Sequence, residues 1–196
     1  MDTQNPSHAI YIYLERIGNL IRAHEWTLCR EYALQPVQLH MLYYLSRCDR
    51  YSNTPSGVTD YLQLTKGTVS QSLNVLESKG LIEKQADLHD KRQIHLIVTA
   101  DGRALIEKLP PDLVFAVSEA LGEAAVTETV AMLQRLLGTA QRINGSQGFG
   151  VCRTCEYHQT LDQQHFRCGL TGEILTEAEA DLICREHTIV EPSPST

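Results

Sequence analysis

The feature that most constrains this sequence is a change of hydrophobic period at Gly80. Before it, Val69, Leu73 and Leu76 recur at the i, i+4, i+7 spacing of one buried helical stripe; after it, Ile94, Leu96 and Val98 alternate with Gln93, His95 and Ile97. A pattern of one period does not settle as the other kind of element, so residues 65–99 are expected to form one helix and then a two-stranded hairpin. Thr65 is placed to N-cap the helix and Gly80 to stop it in the left-handed conformation. The apolar pair Leu81 and Ile82 opens the hairpin, and His89, Asp90, Lys91 and Arg92 form its tip. Upstream, Val58 to Leu62 predict a short helix, with Leu64 filling the turn into Thr65.

The polar side of the main helix points to a partner. Advancing 100° per residue from the apolar stripe puts Gly67, Gln71, Asn74 and Ser78 on the opposite face, flanked by Thr68 and Ser70. Small side chains let a helix backbone approach a duplex closely, and Asn or Gln can pair two-point with an adenine edge in the major groove. An arginine at a hairpin tip, here Arg92, suits a narrow and electronegative minor groove. Asp90 is expected to order that tip rather than to meet a phosphate.

In this order of elements the chain resembles the MarR family. The resembling stretches are LQPVQLHMLYYL at 34–45, GTVSQSLNVLESKGLIEK at 67–84, DKR at 90–92 and VTADG at 98–102, within a region of about residues 10–143. The resemblance implies a mainly α fold with a small β-hairpin wing, a winged helix-turn-helix inside a helical dimer scaffold. It also implies a homodimeric transcription regulator, usually a repressor, that binds double-stranded DNA with the recognition helix in the major groove and the wing in the minor groove. Carried over position by position, it puts base or phosphate contacts on Lys66, Thr68, Ser70, Gln71 and Asn74, and wing contacts on Lys91 and Arg92.

The charge departs from what such a segment often carries. Residues 65–95 hold five Lys or Arg against four Asp or Glu, and the whole chain has a formal charge of -7. Few phosphate contacts and a weak non-specific term are therefore expected.

The flanks look like a dimer scaffold. Ile10, Leu14, Ile17, Leu20, Ile21, Leu28 and Tyr32 recur at helical spacing, Thr99 or Asp101 starts a further helix, and Pro110 and Pro111 break it before a helical stretch at 112–143. These stripes exceed what one winged helix can cover, and pairing two protomers would bury them. A two-fold dimer would read a pseudo-palindromic operator with half-sites about one DNA turn apart.

Composition shifts at Asn144. Residues 144–150 read as a Gly-rich linker, and four of the six cysteines follow in a small module at 151–187: Cys152, Cys155, Cys168 and Cys184. The spacing is Cys-x2-Cys, twelve residues, Cys, fifteen residues, Cys, with His158, His165 and His187 interspersed. A module this small builds little core from Phe149, Phe166, Leu170, Ile174, Leu175, Leu182 and Ile183, so a metal-thiolate staple is expected. Thr176 with Glu177 and Glu179 predicts a helix at 177–186 presenting Cys184, and 188–196 a flexible tail.

Two chemistries compete for the four thiols. Tetrahedral zinc suits four cysteines, or three with His158 or His187, although a zinc ribbon normally closes with a second tight pair that is absent here. The widely spaced later cysteines instead resemble, in spacing only, the ligands of the four-iron cluster in family 4 uracil-DNA glycosylases. A redox dithiol at Cys152 and Cys155 lacks the strand-helix context such motifs have. The effector thus stays open between metal, iron or redox state at this module and a small aromatic molecule between the helices.

The rest of the sequence narrows the class. With 42% hydrophobic residues the chain is not disordered, and it carries no signal peptide and no run of eighteen apolar residues, which predicts a cytoplasmic protein with no membrane span. Phosphate-cradling Gly loops, Gly-x-Ser-x-Gly and His-Glu-x-x-His are absent, so no enzyme is expected. Cys29 and Cys48 read as small core hydrophobes, and Tyr43, Tyr44, Tyr51 and Tyr61 as packing residues that could line an aromatic pocket.

Overall fold

The computed structural model describes residues 5–88, 90–109, 112–145, 148–162 and 165–189. A long helix α1 (Pro6–Glu31) leads into α2 (Pro36–Arg47), α3 (Pro55–Leu62) and α4 (Lys66–Ser78). The hairpin β1 (Ile82–Ala86) and β2 (Ile94–Val98) follows, then α5 (Ala100–Ile106), α6 (Asp112–Leu121) and α7 (Glu123–Ile143). The C-terminal module consists of β3 (Gly150–Val151), a 3-10 turn (Cys152–Thr154), β4 (His158–Thr160), β5 (Phe166–Cys168), β6 (Ile174–Leu175), α8 (Glu177–Ala180) and β7 (Ile183–Cys184).

The winged helix is built on α2. Its Leu39, Met41, Leu42 and Tyr44 are fully buried, and Val58 from α3, Leu73 and Leu76 from α4, Leu96 from β2 and Leu105 from α5 close around them. The apolar stripe expected on the main helix, Val69, Leu73 and Leu76, is this buried face of α4, joined by Ser72, which the stripe alone did not mark. Thr65 caps α4 by accepting from the Thr68 amide at 3.2 Å, and Gly80 ends it at a φ of +69°. The hairpin is antiparallel, with Ile82 opposite Val98 and Ala86 opposite Ile94.

Several boundaries move, each for a local reason. Helix α3 begins at Pro55 rather than Val58, because Thr54 caps it through the Gly57 amide at 3.1 Å and a proline is tolerated in a first turn. The stretch at 112–143 is two helices, divided at Gly122, whose φ of +78° glycine alone adopts readily. Pro110 and Pro111 lie outside the described residues, as does His89.

The C-terminal module differs more. Helix α8 stops at Ala180 instead of running to 186, and Cys184 sits on β7, which pairs with β3 (Gly150 opposite Cys184). The presumed linker is partly structure: Phe149 is buried edge-on against Tyr44 and Tyr61, and Gly150 is in β3. Of the expected tail, Thr188 is exposed but held by its backbone to Glu156 and Cys155, and Ile189 bridges to Cys155 and rests where Gly138 leaves α7 without a side chain; 190–196 lie outside the described residues. Leu170 and Ile174, expected in the module's core, are exposed, and Ala180 is buried in their place.

Candidate nucleic-acid interface and cysteine cluster

The outward face of α4 carries the residues singled out from the sequence. Lys66, Gly67, Thr68, Ser70, Gln71, Asn74 and Ser78 are all exposed. One of them is already engaged: Asn74 Oδ1 accepts from Lys84 Nζ at 2.7 Å, and the same ammonium lies 2.7 Å from a Glu77 oxygen. Lys84 thus stands on β1 beside the recognition face, and with Lys66, Ser70 and Ser56 it lines a groove between α3 and α4. Sequence reasoning missed it because its place depends on the hairpin folding back over α4.

At the wing tip, Lys91 and Arg92 are exposed, and the Arg92 side chain is 92% accessible. Its backbone amide and Nε both donate to Asp90 Oδ1, at 3.0 and 3.1 Å, so Asp90 orders the turn as expected. The base of the wing is tied to the loop before α3. The Asn53 carbonyl accepts from the Leu96 amide at 2.7 Å, and His95 sits between Asn53 Oδ1 (2.6 Å) and Asp87 Oδ2 (3.1 Å).

An exposed helix of small and amide side chains, one turn after a capped helix and beside an anchored hairpin that carries Lys91 and Arg92 at its tip, is a winged helix-turn-helix. Residues 34–93 match the MarR family. Over this stretch the chain is similar to the MarR family. Its members are DNA-binding transcription regulators, and solved structures agree on the fold. Streptococcus pneumoniae FabT in complex with DNA is 27% identical, covers 70% of this chain and 99% of its own, and gives a TM-score of 0.57. A MepR point mutant from a multidrug-resistant S. aureus clinical isolate is 26% identical over 67% of this chain and 97% of its own, with a TM-score of 0.56. MarR itself, at 22% identity over 74% of this chain and 97% of its own, shares the fold with a TM-score of 0.54. No curated protein sequence matches the chain.

The cysteine module lies against this MarR-type domain, at the loop between α2 and α3. All six cysteines are free thiols. Cys152, Cys155, Cys168 and Cys184 line one 170 Å³ cavity, whose other wall is Asp49, Arg50 and Tyr51 of that loop. Two sulfurs accept backbone amides, Cys184 from Glu186 and Cys155 from Thr188, each at 3.4 Å. Burial, and then the neighbouring Cys155, push the Cys152 thiol up to about 11; burial and then Asp49 push Cys184 to about 12. Among the described residues no three His, Cys, Asp or Glu side chains are arranged as they stand to hold a metal ion. The donor set nevertheless suits a thiophilic one: four thiols on one small cavity, two of them receiving the amide hydrogen bonds that favour thiolate. A single χ1 change moves a cysteine sulfur by about 3 Å.

The histidines separate clearly. His158 lines the thiol cavity with Nδ1 3.8 Å from Cys152 Sγ, whereas exposed His165 bonds Asp162. His187 is buried on the far side, bonded through Nε2 to Thr154 Oγ1 at 2.9 Å and lining a larger 710 Å³ cavity against α7. Cys29 and Cys48 are buried, as their core reading requires, and burial pushes the Cys48 thiol to about 12. Of the four tyrosines, Tyr44 and Tyr61 stack at 4.3 Å and Tyr61 reaches the larger cavity, while Tyr51 faces the thiols.

Proposed function

We propose that this chain is a homodimeric, sequence-specific transcription regulator that acts as a repressor on a pseudo-palindromic operator and takes its signal at the cysteine module. The observation that carries the DNA-binding part is the conjunction of the exposed face of α4 with an Asp90-ordered Arg92 at the wing tip. FabT, with the same fold, was solved on DNA. Pairing of two chains is supported by the apolar residues left exposed along α1 (Ile10, Leu14, Ile17), α6 (Phe115) and α7 (Leu133, Leu137), which a second chain would cover. No helix among the described residues is long and apolar enough to cross a membrane, in keeping with work on DNA in the cytoplasm.

The proposed cofactor is a zinc ion or an iron-sulfur cluster on Cys152, Cys155, Cys168 and Cys184. Bound there, it would supply a staple that the module's thin core lacks, and in the cluster's case a redox-sensitive one. A second reading has purely structural zinc and a small aromatic effector; it is favoured by the 710 Å³ cavity that Tyr61, Phe149 and Leu137 line.

The test is to select duplexes from a random pool with the purified protein and to measure affinity and mass of the complex. Two protomers on an inverted repeat are expected. An Asn74→Ala variant should relax preference at one base position by about 1 kcal/mol or more. A Lys84→Ala variant should instead weaken all duplexes alike. A protein that enriches no sequence, or binds as a monomer, refutes the reading.

A further inference from the structure

The loop at 48–54 joins the thiol cavity to the wing and to α3, the helix packed beneath the DNA-reading helix α4, and the connection is one continuous set of hydrogen bonds. On the module side, Ile183 bridges to Cys48 and its carbonyl accepts from the Asp49 amide at 2.9 Å. The amide of Arg185, the residue after Cys184, donates to Ser52 Oγ at 3.1 Å. Ser52 is fully buried, and its carbonyl accepts from Tyr44 Oη at 2.9 Å and from the Thr54 amide at 2.8 Å. Arg50 and Tyr51 both bond Glu173, on the opposite lip of the cavity.

On the reading side, the next residue, Asn53, holds the wing through Leu96 and His95, and Thr54 caps α3. The Arg185 guanidinium then spans the same distance directly. Nη1 donates to Ser56 at 3.2 Å and Nη2 to Asp60 at 3.1 Å, both on α3, while Nε faces Glu186 at 3.5 Å. The side chain is only 23% accessible, so this is a packed strap rather than a surface ion pair.

We infer that Arg185 is a positioning residue that couples occupancy of the Cys152, Cys155, Cys168 and Cys184 cavity by a thiophilic metal ion to the placement of α3, on which the DNA-reading helix α4 packs, and of the wing. The coupling rests on the DNA-binding reading above only for its consequence, not for its structure. Cys184 cannot be drawn into a tetrahedral thiolate centre without fixing β7, and β7 carries both Ile183 and, one residue on, Arg185. A fixed β7 holds Ser52, the Thr54 cap and the Asn53 anchor of the wing. DNA then meets elements already ordered, which removes part of the ordering cost of binding, so the loaded protein should bind its operator more tightly.

The experiment uses the full chain, purified without oxygen, stripped with chelator and reloaded with Zn²⁺, or with Cd²⁺ to read thiolate bonding by ultraviolet charge-transfer absorption. Wild type is expected to take up one ion per chain, to slow amide hydrogen exchange at 52–62 and 94–98 on loading, and to bind the selected duplex about tenfold tighter loaded than stripped. Arg185→Ala should bind the ion with the same absorption and bind DNA when stripped as wild type does, yet lose most of the loading effect on exchange and on affinity. Arg185→Lys, which keeps the charge and the stem but not the two-point grip, should lie between, and guards against a folding defect in the alanine variant.

No metal uptake by wild type, uptake unaffected by Cys184→Ser, or a full loading effect in Arg185→Ala would each overturn the inference. Should no form of the protein select a duplex, the DNA reading falls by itself, because the exchange readout still decides whether the thiol cavity and α3 are coupled.

Discussion

Asn53 Oδ1 lies 2.6 Å from His95 Nδ1, linking the loop that precedes α3 to the second strand of the wing. The same asparagine accepts the Leu96 amide on its carbonyl, and the other nitrogen of His95 faces Asp87 on the opposite side of the hairpin. A two-stranded hairpin is barely stable alone, and among the described residues the strands of this one pair only with each other, so its aim depends on such anchors. Asn53→Ala removes the side-chain bond and leaves the backbone one. It should cost about 1 kcal/mol of stability, seen as a lowered thermal midpoint, with faster amide exchange along 94–98 but not in α2. Equal protection of the wing in both proteins would show that the backbone contact alone sets its position.

Arg92 donates to Asp90 through its own amide, Nε and, at 3.5 Å, Nη2, yet its side chain stays 92% accessible to a groove. Because the segment has so few cations, each should be visible in the salt dependence of DNA binding. Arg92→Ala is expected to weaken binding and to reduce the slope of log affinity against log salt by about 1. Asp90→Ala, which disorders the tip but keeps the cation, should weaken binding at unchanged slope. A slope unaltered by Arg92→Ala would place the wing off the DNA.

Gly57 is the point where α3 crosses the junction loop. A Cβ there would lie 2.1 Å from the Ser52 carbonyl oxygen and 2.9 Å from Tyr44 Oη. The obstacle is largely backbone, already fixed by bonds from Tyr44 and Thr54, so it cannot swing aside. Gly57→Ala should destabilise the domain by about 2 to 3 kcal/mol in denaturant titration. Gly67 supplies the control. A Cβ there meets only Thr65 Oγ1 at 3.9 Å, in the first turn of a helix, so Gly67→Ala should be neutral or stabilising by about 0.5 kcal/mol. The reverse order of the two would contradict the packing described.

The winged helix was legible in the sequence because its signals are local: the period change at Gly80, the Thr65 cap and the apolar stripe of α4 each need only neighbouring residues. The four thiols were legible by spacing, and the fold does gather them on one cavity. What escaped was tertiary. Nothing near Lys84 marks it as a partner of Asn74, and Arg185 gains its meaning from Ser56 and Asp60, more than a hundred residues earlier. The acidic run after Thr176 correctly marks a capped helix, yet the pairing of β7 with β3 ends its reach and puts Cys184 on a strand. Similarly the burial of Phe149 is legible, but as part of the module's own core; that it buries against Tyr44 of α2 and Tyr61 of α3 is signalled by no neighbouring residue.

His187 gives the module a dependence on pH whose sign follows from its surroundings. The ring is buried between Thr154, which bonds Nε2, and Gly150, where the absence of a side chain makes room: a Cβ would fall 2.6 Å from Nδ1. Burial holds the imidazole below its usual range, outweighing the Thr154 contact that acts the other way. An unfolded histidine protonates near pH 6.5, so between that value and the lower folded one the unfolded state binds more protons. Stability is therefore full above about pH 6.5 and falls as the pH drops through the folded pKa. Titrating wild type and His187→Gln, each freed of metal, should show wild type losing thermal stability from about pH 6.5 downward, while the variant loses less over the same window. Parallel curves would mean that the ring is reached by water and that its place beneath α7 is looser than the packing implies.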